Sequence, residues 1–381
     1  MMKKYGGLGL AVLFSLLLML AVGGVTTETW GVTLYEVTDL GELPDTTGSV
    51  SATDINNAGQ VVGYTNYSNG YHAFMWDSTN GMQNIGDLPG GPETSQANGI
   101  NDAGQVVGMG YSPGPKAFLW DSTTQQMQDL NVLPGTTQSL AYGINNAGQV
   151  VGRSGETYTS RAFLWNPSTQ QMQNLGYLPG GDDFTYAHGI NDAGQVTGSS
   201  GAVFGAKHAF LWDSINGMQD LGALPGGDDW SEAYAVNDLG QVVGHSYIGG
   251  QYYPFLWDST NGMQQLPDLP GEVYGSLAYD INDAGQVVGG DHIHGAWIWD
   301  NTNGVRDLND LLVPGATGWS LSEARAINNL GQIVVNGTNP GGESHAFLLT
   351  PVVPEPISSI LFVTGGVILA SRRYFKRKRN N

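Results

Sequence analysis

Three features of this 381-residue sequence predict an all-β fold, a seven-bladed β-propeller of four-stranded antiparallel blades. One nine-residue phrase, Ile55-Asn-Asn-Ala-Gly-Gln-Val-Val-Gly63, recurs from Ile100, Ile144, Ile190, Val236, Ile281 and Ile327, at steps of 44 to 46 residues. Each period holds four short β-prone runs separated by turn residues. The last period lacks its fourth run, and a matching run stands ahead of the first. A period this regular means one unit copied seven times, each burying its apolar faces on its neighbours. With 57 glycines and only 13% charged residues, the composition suits tight turns and short strands.

From the N-terminus, Lys3 and Lys4 precede an apolar run from Leu8 to Val22 and small residues at Ala21, Gly23 and Gly24. Charged, apolar and small-residue zones in that order read as a secretory signal peptide over residues 1–27. A retained membrane anchor is the alternative, although the run is short for a span of roughly 20 residues. Export follows from either. Next, residues 34–44, ending Asp39-Leu-Gly-Glu-Leu-Pro44, match the fourth-strand phrase Asp220-Leu-Gly-Ala-Leu-Pro225. This segment is expected to complete the seventh blade and so close the ring and remove its exposed edges.

Within a repeat the first strand carries an alanine three places before the Ile or Val: Ala52, Ala97, Ala141, Ala187, Ala233, Ala278 and Ala324. Strict alternation puts Ser139, Ala141 and Gly143 on one face, expected to crowd the common axis, and Leu140, Tyr142 and Ile144 on the other. The Asn-Asn/Asp-Ala/Leu-Gly turn that follows suits a hairpin, because Asn and Asp bond their own backbone and Gly accepts positive φ. Its polar residues read as structural rather than as calcium ligands, since the every-second-residue Asp pattern of calcium loops is absent. The third strand carries the bulk, as Phe163/Trp165 or Phe210/Trp212. Two residues apart, each pair faces one way and is expected to wedge between adjacent sheets.

The C-terminal segment, residues 351–381, runs through Val353-Pro354-Glu355-Pro356, an apolar stretch from Ile357 to Ala370, and a basic tail from Arg372 and Arg373 to Arg379. Its apolar stretch would rise about 21 Å as a helix, short of a hydrocarbon core of about 30 Å. These three parts in this order resemble the PEP-CTERM sorting signal of Gram-negative exported proteins. The resemblance implies recognition of the Pro354-Glu355-Pro356 tripeptide by an exosortase partner, transient anchoring in the inner membrane by a transmembrane helix, and removal of the tail. A simple single-span anchor is the alternative reading. The repeat phrases, with the literal triplets His72-Ala73-Phe74, His208-Ala209-Phe210 and His345-Ala346-Phe347, resemble the HAF family of probable extracellular repeats. That resemblance spans roughly residues 34 to 350 of the propeller domain assigned to residues 28–350, and implies an exported repeat protein of the cell envelope or extracellular space.

Charge narrows the function. The formal net charge is -20, and only six bases, Lys116, Arg153, Arg161, Lys207, Arg306 and Arg325, lie in the body among nearly all of the 34 acids. Such a surface repels phosphate backbones, which excludes nucleic acid as a partner. The absence of cysteine removes thiol chemistry. Loops joining fourth to first strands place aromatics beside carboxylates: Asp182, Asp183 and Phe184; Asp228, Asp229 and Trp230; Tyr274; and Trp319. That pairing suits a carbohydrate, stacking on pyranose rings and accepting hydroxyl hydrogen bonds, with calcium-assisted matrix binding as a variant. The expectation is therefore a non-enzymatic binding or structural module, with extracellular polysaccharide or a matrix protein as partner and no resident cofactor. The alternative is a polysaccharide-active hydrolase or lyase using Asp182 and Asp228. His292 and His294 share a strand face but lack an evident third metal ligand.

Overall fold

The computed structural model describes residues 33–44, 46, 48–68, 70–156, 159–181, 184–202, 205–270, 275–291 and 295–352. The signal-peptide segment, the sorting segment with Pro354, Glu355, Pro356, Arg372 and Arg373, the pair His292 and His294, and the loop residues Asp182, Asp183 and Tyr274 lie outside them. The described residues form seven four-stranded antiparallel sheets arranged as a β-propeller. Blades 1 to 6 each take four consecutive strands, within residues 50–84, 95–129, 139–174, 185–222, 231–265 and 276–307. Blade 7 takes Ser320–Ile327, Ile333–Thr338 and Ser344–Pro351, and its fourth strand is Tyr35–Asp39, paired antiparallel from Tyr35 opposite Pro351 to Asp39 opposite Phe347.

Blades meet through seven apolar clusters rather than one core. Blade 3 presents Ala141, Ile144, Val150, Phe163 and Trp165 to Val107, Ala117 and Leu119 of blade 2. Its opposite face, Val151, Ala162 and Leu164, meets Ala187, Val196, Phe210 and Trp212 of blade 4. The two-residue period of the third strand thus divides Phe163/Trp165 from Ala162/Leu164, as the wedge reading expects. The glycine ending each Val-Val-Gly has a steric cause. A Cβ at Gly152 would lie 2.0 Å from the Leu140 carbonyl oxygen, and one at Gly108 would lie 2.9 Å from Cζ of Phe118. Only hydrogen leaves space for the ring above.

The first strand departs from strict alternation. A β-bulge between Ala141 and Gly143 shifts its register, and the same irregularity follows Ala52, Ala97, Ala187, Ala233 and Ala278. Ile144 therefore turns into the same inter-blade cluster as Ala141, not to the face of Tyr142. The expectation that the small residues crowd the axis holds for Gly143, which lines the central cavity, and is corrected for Ala141, which lies between blades. Ala141 is small because a neighbouring sheet lies against it, while the axis receives the larger residue that follows.

The turn residues do more than close a hairpin. Gly148 takes φ +73° and donates its N–H to Asn145 O at 2.9 Å, as the local reading expects. Asn145 also reaches the next blade, with Nδ2 donating to Asn191 O at 3.1 Å. The equivalent bond runs from Asn56 to Asn101, Asn101 to Asn145, Asn191 to Asn237, Asn237 to Asn282, Asn282 to Asn328 and Asn328 back to Asn56. A second circuit uses the residue after it: the backbone N–H of Asn57 donates to Asp102 Oδ1, and so on through Asn146, Asp192, Asp238, Asp283 and Asn329 to Asn57. Each motif glutamine lies over the turn glycine of the following blade, as Gln105 over Gly148. Both circuits close at the junction of blades 7 and 1, where Asn336 also bridges the backbone N–H and C=O of Ala52 at 2.9 and 3.1 Å.

Candidate ligand site in the central channel

The bulge aims the residue after each first-strand alanine at the axis: Thr53, Asn98, Tyr142, His188, Tyr234, Tyr279 and Arg325. With the bulged positions and the two hydrogen-bond circuits, this ring bounds a polar cavity of about 290 Å³. The exposed circuit, with four carboxylates (Asp102, Asp192, Asp238, Asp283) and three carboxamides (Asn57, Asn146, Asn329), lies at the mouth. Asp54 and Asp280 line the wall where other blades carry Gly or Ala. Each accepts two backbone N–H groups, Asp54 from Ile55 and Ile100 and Asp280 from Ile281 and Ile327, all at 2.8 Å. Burial pushes both carboxyls up to about 7, and the Asp280 charge adds to the effect on Asp54. Burial and then the charge of Glu323 push Tyr279 up to about 12, while burial raises Tyr142 and Tyr234, so the phenols remain donors.

A second polar group is packed into blades 4 and 5. Buried Glu232 accepts from Lys207 Nζ at 2.7 Å, His188 Nε2 at 2.9 Å and Ser199 Oγ at 3.3 Å. Burial alone would raise this carboxyl, but His188 and Lys207 outweigh it and hold the group well below the ordinary carboxylate range. The Lys207 ammonium also lies 4.9 Å from the ring centroid of Trp230, 5.4 Å from Phe184 and 5.8 Å from Tyr186. His245, only 2% exposed, sits among Trp230, Tyr234 and Tyr252 with neither ring nitrogen hydrogen-bonded. Burial pushes it down to about 4, against the opposing charge of Glu232.

The rim residues expected to bind sugar have other neighbours. Phe184 and Trp230 do come together, but over Lys207. Asp228 accepts the Gly249 N–H at 3.1 Å, and Asp229, with φ +55°, accepts from His208 Nε2 at 3.0 Å. Trp319 sits edge-on to Phe347, 5.0 Å between centroids, in the cluster of blade 7. Two of the three triplet histidines act as ties between strands, His208 Nδ1 bonding Asp220 and His345 Nδ1 bonding Asp39 at 2.8–2.9 Å, whereas Nδ1 of buried His72 has no such partner. Among the described residues no three His, Asp or Glu side chains converge as a metal site. The channel ring escaped a reading based on loops. Its signal was present, since the position after the alanine reads Thr, Asn, Tyr, His, Tyr, Tyr, Arg, while that alanine and the Asn four places after it stay fixed in every repeat.

Residues 21–135, under a third of the chain, match the family described as "Protein of unknown function (DUF3466)". No curated protein matches the chain. Among solved structures it is similar to an oligogalacturonate lyase in complex with manganese, at 12% identity over 84% of this chain and 96% of that one, TM-score 0.54. It is also similar to virginiamycin B lyase from Staphylococcus aureus, at 9% identity over 84% and 100%, TM-score 0.53. The Pyrococcus horikoshii acylaminoacyl peptidase gives 11% identity over 82% and 53%, TM-score 0.50. The likeness is one of fold.

Proposed function

We propose that the chain is an exported cell-envelope or extracellular-matrix propeller, a binding module without catalytic role, whose central cavity takes a hydroxyl-rich ligand of the exopolysaccharide class. The observation that carries this reading is a contrast within the repeat: the fixed asparagine of each turn links the blades, and one variable position, that after each first-strand alanine, converges from all seven blades on one cavity. Phenols, carboxamides and carboxylates on its walls offer the donors and acceptors that sugar hydroxyls need. The four carboxylates at the mouth disfavour a polyanion. Isothermal titration with uncharged oligosaccharides of the producer's own polymer tests the reading. Tyr234→Phe or Asn98→Ala should weaken binding about tenfold, the loss of roughly one hydrogen bond. Absence of heat from every such oligosaccharide overturns it.

The addresses at the two ends support export: the charged-apolar-small order before residue 28, and the tripeptide, apolar stretch and basic cluster after residue 350. Membership of the HAF repeat family and exosortase processing belong to this proposal. Intact mass of the mature protein from the cell surface checks the processing, with a C-terminus near Pro354 expected.

The second reading, a polysaccharide-active lyase or hydrolase, is favoured by the grouping of Lys207, Glu232 and His188. Two of the solved structures similar in fold are lyases by name. Against it, a uronate polymer would meet the acidic mouth, and the Glu232 carboxylate is already engaged by three donors. Product release from the polymer that vanishes in Glu232→Gln would establish the enzyme instead.

A further inference from the structure

Five of the seven blades cover their third-strand tryptophan with a methionine directly across the strand: Met82 opposite Trp76, Met127 opposite Trp120, Met172 opposite Trp165, Met218 opposite Trp212 and Met263 opposite Trp257. Those indoles are 2–7% exposed. Blade 6 places Val305 opposite Trp299, and both side chains are only partly buried. The adjoining residue of blade 5, Leu256, is likewise partly buried, although its counterparts Leu119, Leu164 and Leu211 are 7–8% exposed. A thioether chain two atoms longer than an isopropyl group is what the other blades use to seal this seam. Here Trp299 and Leu256 line a groove of about 760 Å³ between blades 5 and 6.

The lining fits one class of occupant. Trp299 and Leu256 supply an apolar platform, and Gln241, Gln264 and Gln286 supply carboxamides. No lysine or arginine lines the groove, while Asp258, Asp283 and Asp300 do. Asp258 and Asp300 already accept from the N–H groups of their own turns, at Asn261 and Asn303, and stay ionised; Asp300 is in addition paired with Arg306, which leaves Asp258 and Asp283 to repel an anionic chain. An indole with amides around it suits the axial C–H face and the equatorial hydroxyls of a pyranose ring. The volume is more than twice that of the channel cavity.

We propose that the groove between blades 5 and 6 is a second ligand site, in which an uncharged pyranose polymer stacks on the Trp299 indole. It rests on the ligand class of the channel reading and meets the channel mouth at one residue, Asp283. Affinity electrophoresis of the full chain in gels containing laminarin, xyloglucan, hydroxyethylcellulose or dextran tests it, with polygalacturonate as the polyanion. At least one uncharged polymer should retard the protein, and polygalacturonate should not. Trp299→Ala and Val305→Met should each weaken retardation at least tenfold. The second variant restores the cover used by five other blades and so preserves the fold. Retardation unchanged in Val305→Met, or absent with all four uncharged polymers, overturns the proposal. Retardation lost in Tyr234→Phe but kept in Val305→Met assigns polymer binding to the channel and overturns the groove. Retardation lost only in the groove variants upholds the groove even if the channel binds nothing.

Discussion

His208 and His245 lie 37 residues apart and respond to acid in opposite ways. Burial alone would depress His208, but its hydrogen bonds to Asp220 and Asp229 prevail and raise it above the ordinary value of 6.5. Its contribution to stability is therefore complete below pH 6.5 and is lost as pH rises through the folded value. His245 is buried neutral, so its contribution is present above pH 6.5 and disappears as pH falls toward about 4. Asp54 and Asp280, raised from 3.8 to about 7, make folding progressively costlier across that interval as pH rises. Replacing both by alanine, the residue that blades 5 and 7 carry there, should leave the protein relatively more stable at pH 8 than at pH 5. The expected swing against wild type is about 1 to 3 kcal/mol, read from urea denaturation at the two pH values. An equal effect at both would mean that the two carboxyls titrate normally.

Among the elements, the Val-Val-Gly strand sets the tolerance of each blade. Gly152→Ala forces a Cβ to within 2.9 Å of the Ala141 Cα as well as onto the Leu140 carbonyl, with backbone on both sides unable to yield. It should cost about 3 kcal/mol or more, seen as a lowered midpoint at unchanged slope in urea. How much of this was legible depends on range. The strands, the hairpin turns and the Phe/Trp wedge follow from period-two patterning and turn chemistry within one repeat, and all appear where the residues placed them. The bulge after Ala141 did not, because strict alternation has no place for an extra residue. The asparagine circuits did not either: a hairpin satisfies Asn145 locally, and its spare Nδ2 finds a partner 46 positions away. Likewise, aromatics and acids in a rim loop look free in sequence, while Trp230 in three dimensions meets a lysine from the neighbouring blade's third strand.

For the molecule as a whole, closure rests on the segment 35–39 laid against residues 344–351. Removing residues 34–44 would leave Ser344–Pro351 with an unpaired edge and uncover Tyr35's place in the blade 7 cluster, where it is 2% exposed. Such a variant should self-associate in light scattering and unfold at lower temperature, and a synthetic peptide of residues 34–44 should restore the monomer. A monomer with unchanged melting would show that the ring holds without its strap.

The two circuits at the channel mouth carry a further implication. Every link in them donates from one blade to the next in the same rotational sense, through chemically equivalent atoms, so a link is blind to how many precede it. Hydrogen bonding would accept an eighth copy as readily as the seventh. The belt they form therefore binds the blades without counting them, and the contact that marks one junction as the last is a different one, Asn336 of blade 7 clasping the Ala52 backbone of blade 1.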